Sequence, residues 1–199
     1  MRSPACSGKS TKAKEIYNTD SENSVMLSTD EFFMKNGRYD YDISKIKDAH
    51  LWNQDRANIA MSSGVKNVII DNTNINKKQV YPYFKIAMEN GYNVEFIEPD
   101  WTKDLRLDDG KWNADFIVSL TDKRLETTGK CVPADVIRNM VKNYDYNINF
   151  KTMLEYCNYK KKQNEFPYNL KPGDEVSIDE KPVRIALIHW TDDENVVIT

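Results

Sequence analysis

Apolar residues follow two alternating rhythms along the first two-thirds of the chain. Short unbroken clusters in SVMLST (residues 24–29), KNVIIDNTN (66–74) and NVEFIEP (93–99) have the length and composition of buried strands. Between them the apolar spacing widens to three and four, as in a helix. The stretch after residue 8 carries Ala13, Ile16 and Tyr17 on one face. Residues 43–64 place Ile46, Ala49, Trp52, Arg56, Ile59 and Ala60 at helical spacing until Gly64 stops them, and residues 77–92 form a third helix closed by Asn90 and Gly91. Strands alternating with helices predict parallel crossover units, and hence an α/β fold with a parallel sheet flanked by helices. Ligands of such folds gather at the carboxyl ends of the strands.

Beyond Pro99 the pattern turns polar as far as Val132, which reads as a mobile lid, and a capped helix is expected from Pro133. From Phe150 the pattern changes again: NLKPGDEVSI and KPVRIALIHW suggest two strands joined by a turn. The expected organisation is one domain over residues 1–149 and a small β-rich extension, read as a hairpin, over 150–199.

Composition narrows the class. At 199 residues the chain suits one α/β domain with an appendage. With 28 Lys and Arg against 31 Asp and Glu, a net charge of −3 gives no global field for nucleic acid, so any acid-binding surface must be local. Cys6, Cys131 and Cys157 are an odd number at unrelated spacings, which fits neither a disulfide framework nor a C-x-x-C metal site. No apolar run approaches the ~20 residues of a membrane span and no leader precedes Ser3, so a cytoplasmic or nuclear location is expected.

The chemistry is concentrated in SPACSGKST, residues 3–11. It has the spacing of a phosphate-binding loop, G-x-x-x-x-G-K-[ST], with Ser3 in place of the first glycine. Such a loop works because backbone N–H groups curl around a phosphate, a Lys reaches the β/γ oxygens and a hydroxyl ligates Mg²⁺. Ser7, Gly8, Lys9, Ser10 and Thr11 are therefore the candidate ATP-binding residues, with Lys9 also catalytic and Ser10 a metal ligand. Asp30, just after the strand candidate at residues 24–29, is placed to take a proton from an acceptor hydroxyl, or else to cap a helix start with Thr29 as the other candidate. Asp71 ends an apolar strand, where it would hold Mg²⁺ or its waters near the loop; a turn formed with Asn72 and Asn74 explains the same letters.

Taken in order, SGKSTKAKEI, STDEFF, DAHLWNQDRANIAMSSG, VIIDNTN, YPYFKIAMENGYNVEFIEP and VPADVIRNMVKNYD resemble the polynucleotide 5′-hydroxyl kinase branch of P-loop kinases, over roughly residues 1–146. The resemblance implies a P-loop kinase-like fold, ATP with Mg²⁺, and transfer of the γ-phosphate to the 5′-hydroxyl of a nucleic-acid end. It maps the general base onto Asp30 and a lid cation that grips the transferring phosphate onto Lys123 and Arg124. It also brings His50 and Arg56 toward the acceptor strand, although Trp52 reads equally as core and Arg56 as a structural ion-pair residue.

The chain departs from that pattern in three places. Ser3 and Cys6 stand where relatives have glycine, and a Cβ at a positive-φ position costs on the order of 1–2 kcal/mol. Only Met1 and Arg2 stand where the family has an apolar first strand, which leaves a gap in the sheet unless another segment fills it. Glu126, Thr127 and Thr128 occupy the place of a second lid arginine. Besides the kinase, two readings stay open: a degenerate nucleotide-binding pseudo-kinase or scaffold, and a kinase for a small-molecule hydroxyl.

Overall fold

The computed structural model describes residues 1–128, 132–165, 175–178, 181–184, 188–190 and 196–198. They fall into two compact units, Met1–Cys157 and Asn158–Thr199. The division lies eight residues beyond the expected boundary because Phe150 opens a helix.

In the first unit the phosphate loop leads into helix α1 (Lys9–Thr19), then strand β1 (Ser24–Leu27) and a small hairpin of β2 (Met34–Lys35) and β3 (Arg38–Tyr39). Helix α2 (Ile46–Ser62), strand β4 (Asn67–Ile70) and helix α3 (Lys77–Glu89) complete the alternating part. β1 and β4 pair in parallel, with Leu27 opposite Ile70, so both carboxyl ends emerge at one edge. This is an α/β fold with a parallel sheet flanked by helices.

Core formation follows helical spacing. α3 buries Val80, Tyr83, Phe84 and Ala87, and α2 buries Ala49, Asn53, Ala57 and Met61. The α2 stripe is rotated from the expected face, and Ile59 is left exposed. Small residues every fourth position let α2 approach the sheet, while Trp52 sits at its margin. Asn53, buried among them, donates its amide to Tyr83 Oη at 2.9 Å, while its Oδ1 has no hydrogen-bond partner.

Residues 92–100, expected to contain a strand, form none. Their partner strip is too short. Met1's amine donates to Ile70 O (2.9 Å), Arg2 N to Ile97 O (2.8 Å) and Ser3 N to Thr73 O (2.9 Å), so residues 1–3 bridge β4 and this segment at one end. Past that bridge lies a cavity of about 620 Å³, lined by Asn67, Ile69, Phe84, Val94 and Phe96 among others. The expected gap in the sheet is present.

The polar stretch after Pro99 is more structured than a lid. It contains α4 (Ala114–Ser119) and α5 (Thr121–Thr128), and α6 (Ala134–Lys142) follows with Pro133 in the N-cap position. Leu105, Trp112 and Ile117 are fully buried there with Ile75, Ile137 and Tyr144. The apolar residues are too widely spaced for either simple periodicity, which hid this core. Glu98 ties it to the loop: it accepts from Arg2 (3.1 Å), Arg106 and Tyr144.

Helix α7 (Phe150–Glu165) begins in the first unit, where Met153 is fully buried beside Phe84. In the second unit β5 (Glu175–Ile178) pairs antiparallel with β6 (Lys181–Arg184), and β7 (Ile188–Trp190) with β8 (Val196–Ile198). Among the described residues no helix is long and apolar enough to cross a membrane.

Candidate active site

The loop is built from an unusual set of backbone angles. Gly8 has φ 94° and Cys6 has φ 66°, whereas Ser3 lies outside the left-handed region. The strain expected at both replaced glycines is therefore confined to Cys6. Ser3 presents a different difficulty: its hydroxyl is fully buried and has no hydrogen-bond partner. Ser7 is also fully buried, with Oγ donating to Pro4 O at 3.0 Å. The first intrahelical bonds of α1 run from Thr11 N and Lys12 N to Gly8 O, which leaves the N–H groups of Lys9 and Ser10 as open donors of the helix start.

Lys9 Nζ lies 2.6 Å from Asp71 Oδ1, and both side chains are largely buried. Burial alone would raise the Asp71 pKa; the Lys9 ammonium and a hydrogen bond from Ser10 outweigh it and hold the carboxyl below its usual value. Lys9, Ser10 and Asp71 thus form one cluster. Asp71 is fixed by the sheet, since its N–H donates to Leu27 O (2.8 Å) and its carbonyl accepts from Ser28 Oγ (3.0 Å). Met1's amine is enclosed next to this pair. Its desolvation, helped by the Lys9 charge, pushes its pKa down to about 5.

Asp30 emerges at the same edge, in a short 3-10 helix over Thr29–Phe33. The cap of that turn is Ser28, whose Oγ accepts from Asp30 N at 3.3 Å, so the carboxylate of Asp30 is not used for capping. Tyr39 Oη on the β2–β3 hairpin donates to Asp30 Oδ1 at 3.2 Å. Thr29 Oγ1 lies 3.4 Å from His50 Nδ1, and burial lowers the His50 pKa against the opposing charge of Asp30. Arg56 pairs with Glu31 at 2.6 Å and stacks on Trp52 at 4.3 Å, which places it in the structural role weighed above. Asn72 accepts from Thr29 N (3.0 Å) and donates to Tyr83 Oη (2.9 Å), while Asn74, at φ 47°, donates to Met1 O. Both asparagines serve the strand tip. Lys123 and Arg124 belong to α5, but their side chains lie outside the described residues.

Sequence reasoning missed Tyr39, Glu98 and Trp101. Trp101 Nε1 donates to Ser7 O at 2.8 Å. None of the three has a motif spacing: Tyr39 reaches Asp30 from the hairpin that follows it, and Trp101 and Ser7 are 94 positions apart.

A family model described as an AAA domain matches residues 1–107. The chain belongs to this family, a P-loop nucleotide-binding, kinase-like group. Over 98 residues, 49% of the chain, it is 41% identical to NEDD4-binding protein 2 of Homo sapiens; the match covers 6% of that protein's length.

The site fits the nucleotide and cation that the family typically binds. Open loop donors and the Lys9 ammonium suit phosphates. The Ser10 hydroxyl and the Asp71 carboxylate are hard oxygen donors of the kind Mg²⁺ takes, few enough to leave places for waters and phosphate. Among the described residues no group of three or more His, Cys, Asp or Glu forms a dedicated metal cage.

Proposed function

We propose that this chain is an ATP-dependent phosphotransferase acting on a 5′-hydroxyl nucleic-acid end. The observation that carries the reading is the convergence of two carboxylates on one sheet edge: Asp71, tied to Lys9 and Ser10 of the loop, and Asp30, which accepts from Tyr39 Oη on the β2–β3 hairpin. Bound Mg²⁺ would neutralise phosphate charge next to Ser10 and Asp71. Ser10 and Asp71 are the residues that would hold the metal and Lys9 the one that would turn from Asp71 to phosphate oxygens, while Asp30 would accept the proton of the acceptor hydroxyl. The family resemblance assigns the lid cation to Arg124. The nucleic-acid end is chosen over a small hydroxyl on the order of the motifs along residues 1–146.

The test is transfer of radiolabelled γ-phosphate from ATP to 5′-hydroxyl DNA, 5′-hydroxyl RNA and a panel of small alcohols. Labelling of oligonucleotide ends supports the reading. Labelling of small alcohols alone overturns the acceptor, and ATP binding without transfer to any acceptor leaves the nucleotide-binding scaffold. That second reading has its own motivation in the open cavity beside β4, which removes support from the loop's approach.

A further inference from the structure

A strained loop keeps its shape only where its surroundings over-determine it. Here Cys6 adopts φ 66°, two residues before Gly8 at φ 94°, and the residues leading into the loop are joined to the sheet by the bridge of residues 1–3. Ser7, between the two left-handed residues, is gripped from both sides. Its hydroxyl donates to Pro4 O, and its carbonyl accepts the Trp101 indole N–H at 2.8 Å. The indole also lies against Gly8: a Cβ placed there would meet Trp101 Nε1 at 2.5 Å and Cδ1 at 2.8 Å. Gly8 is thus required twice, for its φ and for this contact.

Trp101 is 56% exposed, so burial of its own surface does not account for its position. Phe116 leans on it at 6.2 Å, and the neighbouring Asp100 pairs with Lys12 of α1 at 3.0 Å. Each of these is a weak contact by itself. The hydrogen bond has a stereochemical consequence that the packing does not. In a trans peptide unit the C=O and N–H point in opposite directions. Turning the Ser7 carbonyl to Trp101 therefore aims the Gly8 N–H away from it, on the side of the loop opposite the indole.

We propose that Trp101 is a positioning residue for the phosphate loop, its indole N–H fixing the Ser7–Gly8 peptide so that the Gly8 N–H is presented as a phosphate donor. This rests on the reading of the loop as a nucleotide site. Residues after the segment 93–97 thereby do for the loop what a longer preceding strand would do through the sheet.

The experiment compares wild type with Trp101→Phe, which keeps an aromatic ring and removes the donor. Amide hydrogen exchange is followed without nucleotide at Thr11 and Lys12, whose N–H groups donate to Gly8 O, ATP affinity is measured by calorimetry, and urea unfolding controls for global stability. Loss of one hydrogen bond predicts exchange at the two amides and ATP affinity each changed by roughly 3- to 10-fold, exchange faster and binding weaker, with the unfolding midpoint unmoved. Unchanged exchange overturns the proposal, whether or not affinity falls, since a fall alone would mean that Trp101 touches the nucleotide. Faster exchange with full ATP affinity also overturns it, as does a general loss of stability. A wild type that binds no nucleotide while the exchange difference persists keeps the loop-fixing role and removes the functional reading instead.

Discussion

The two sides of β4 differ as much as any two regions of this molecule. On one side β1 pairs along four residues, and its tip delivers Ser28, Thr29 and Asp30 beside Asp71 and Asn72 with hydrogen bonds of 2.8–3.0 Å between the two strands' ends. On the other side residues 1–3 make a short bridge, and beyond it lies the cavity of about 620 Å³. The chemistry therefore sits where the sheet is complete, and the deficit is displaced to the far end of the open side. A site at strand tips needs only the last residues of each strand in place, whereas stability depends on the whole length.

Substitutions and solution conditions can break this contrast in graded ways. The largest stability effect is expected from Asp71→Asn, which leaves the Lys9 ammonium, with a side chain only 12% exposed, without a counter-charge; a loss of about 3–5 kcal/mol should appear in urea unfolding. A loss below about 1 kcal/mol would show that the pair is not held as described. Next comes pH. The enclosed Met1 amine titrates at about 5 in the folded chain against an ordinary value of 8.0. Between those values the unfolded chain binds a proton that the folded chain refuses, so stability should rise from pH 5 to pH 8, by on the order of 2–4 kcal/mol. Nα-acetylation should flatten that slope, and a slope unaffected by acetylation would assign it to other groups.

Smaller effects separate the two sides of β4 directly. Amides of residues 93–96 should exchange on the order of 10²-fold faster than those of β1, because sheet pairing protects only the latter. Equal protection would mean that the open side is closed in solution. Least of all, Ser3→Ala removes a buried hydroxyl that has no partner and should stabilise the chain by about 1 kcal/mol. A loss of stability would reveal a bond to Ser3 that the structure does not contain.

Periodicity was enough to find α1, α2, α3, β1 and β4, since each carries a regular apolar stripe or run, even where little of it is fully buried, as in α1 with Ala13. It failed at residues 93–99, where the letters of a strand are present but a strand also needs a neighbour. It failed again at 101–119, where Leu105, Trp112 and Ile117 build a core from isolated apolar residues in a polar stretch. In the site, Lys9, Ser10 and Asp71 were legible because phosphate and metal chemistry fix their types and their places relative to strand ends. Trp101, Tyr39 and Glu98 were not, because a side chain that acts by holding another has no required spacing from it. The stripe of α2 lay between: its period was visible, but Asn53 in the core is intelligible only beside the hydroxyl of Tyr83.

The most direct test of the central claim, that one sheet edge divides nucleotide binding from proton transfer between Asp71 and Asp30, is a paired measurement on Asp30→Asn. ATP affinity in the presence of Mg²⁺ should match wild type, because Asn keeps the shape of Asp30 and the loop's Lys9 and Ser10 pair with Asp71, while γ-phosphate transfer to a 5′-hydroxyl oligonucleotide should fall by ~10²–10⁴-fold. Transfer at the wild-type rate, or loss of ATP binding together with transfer, would contradict that division.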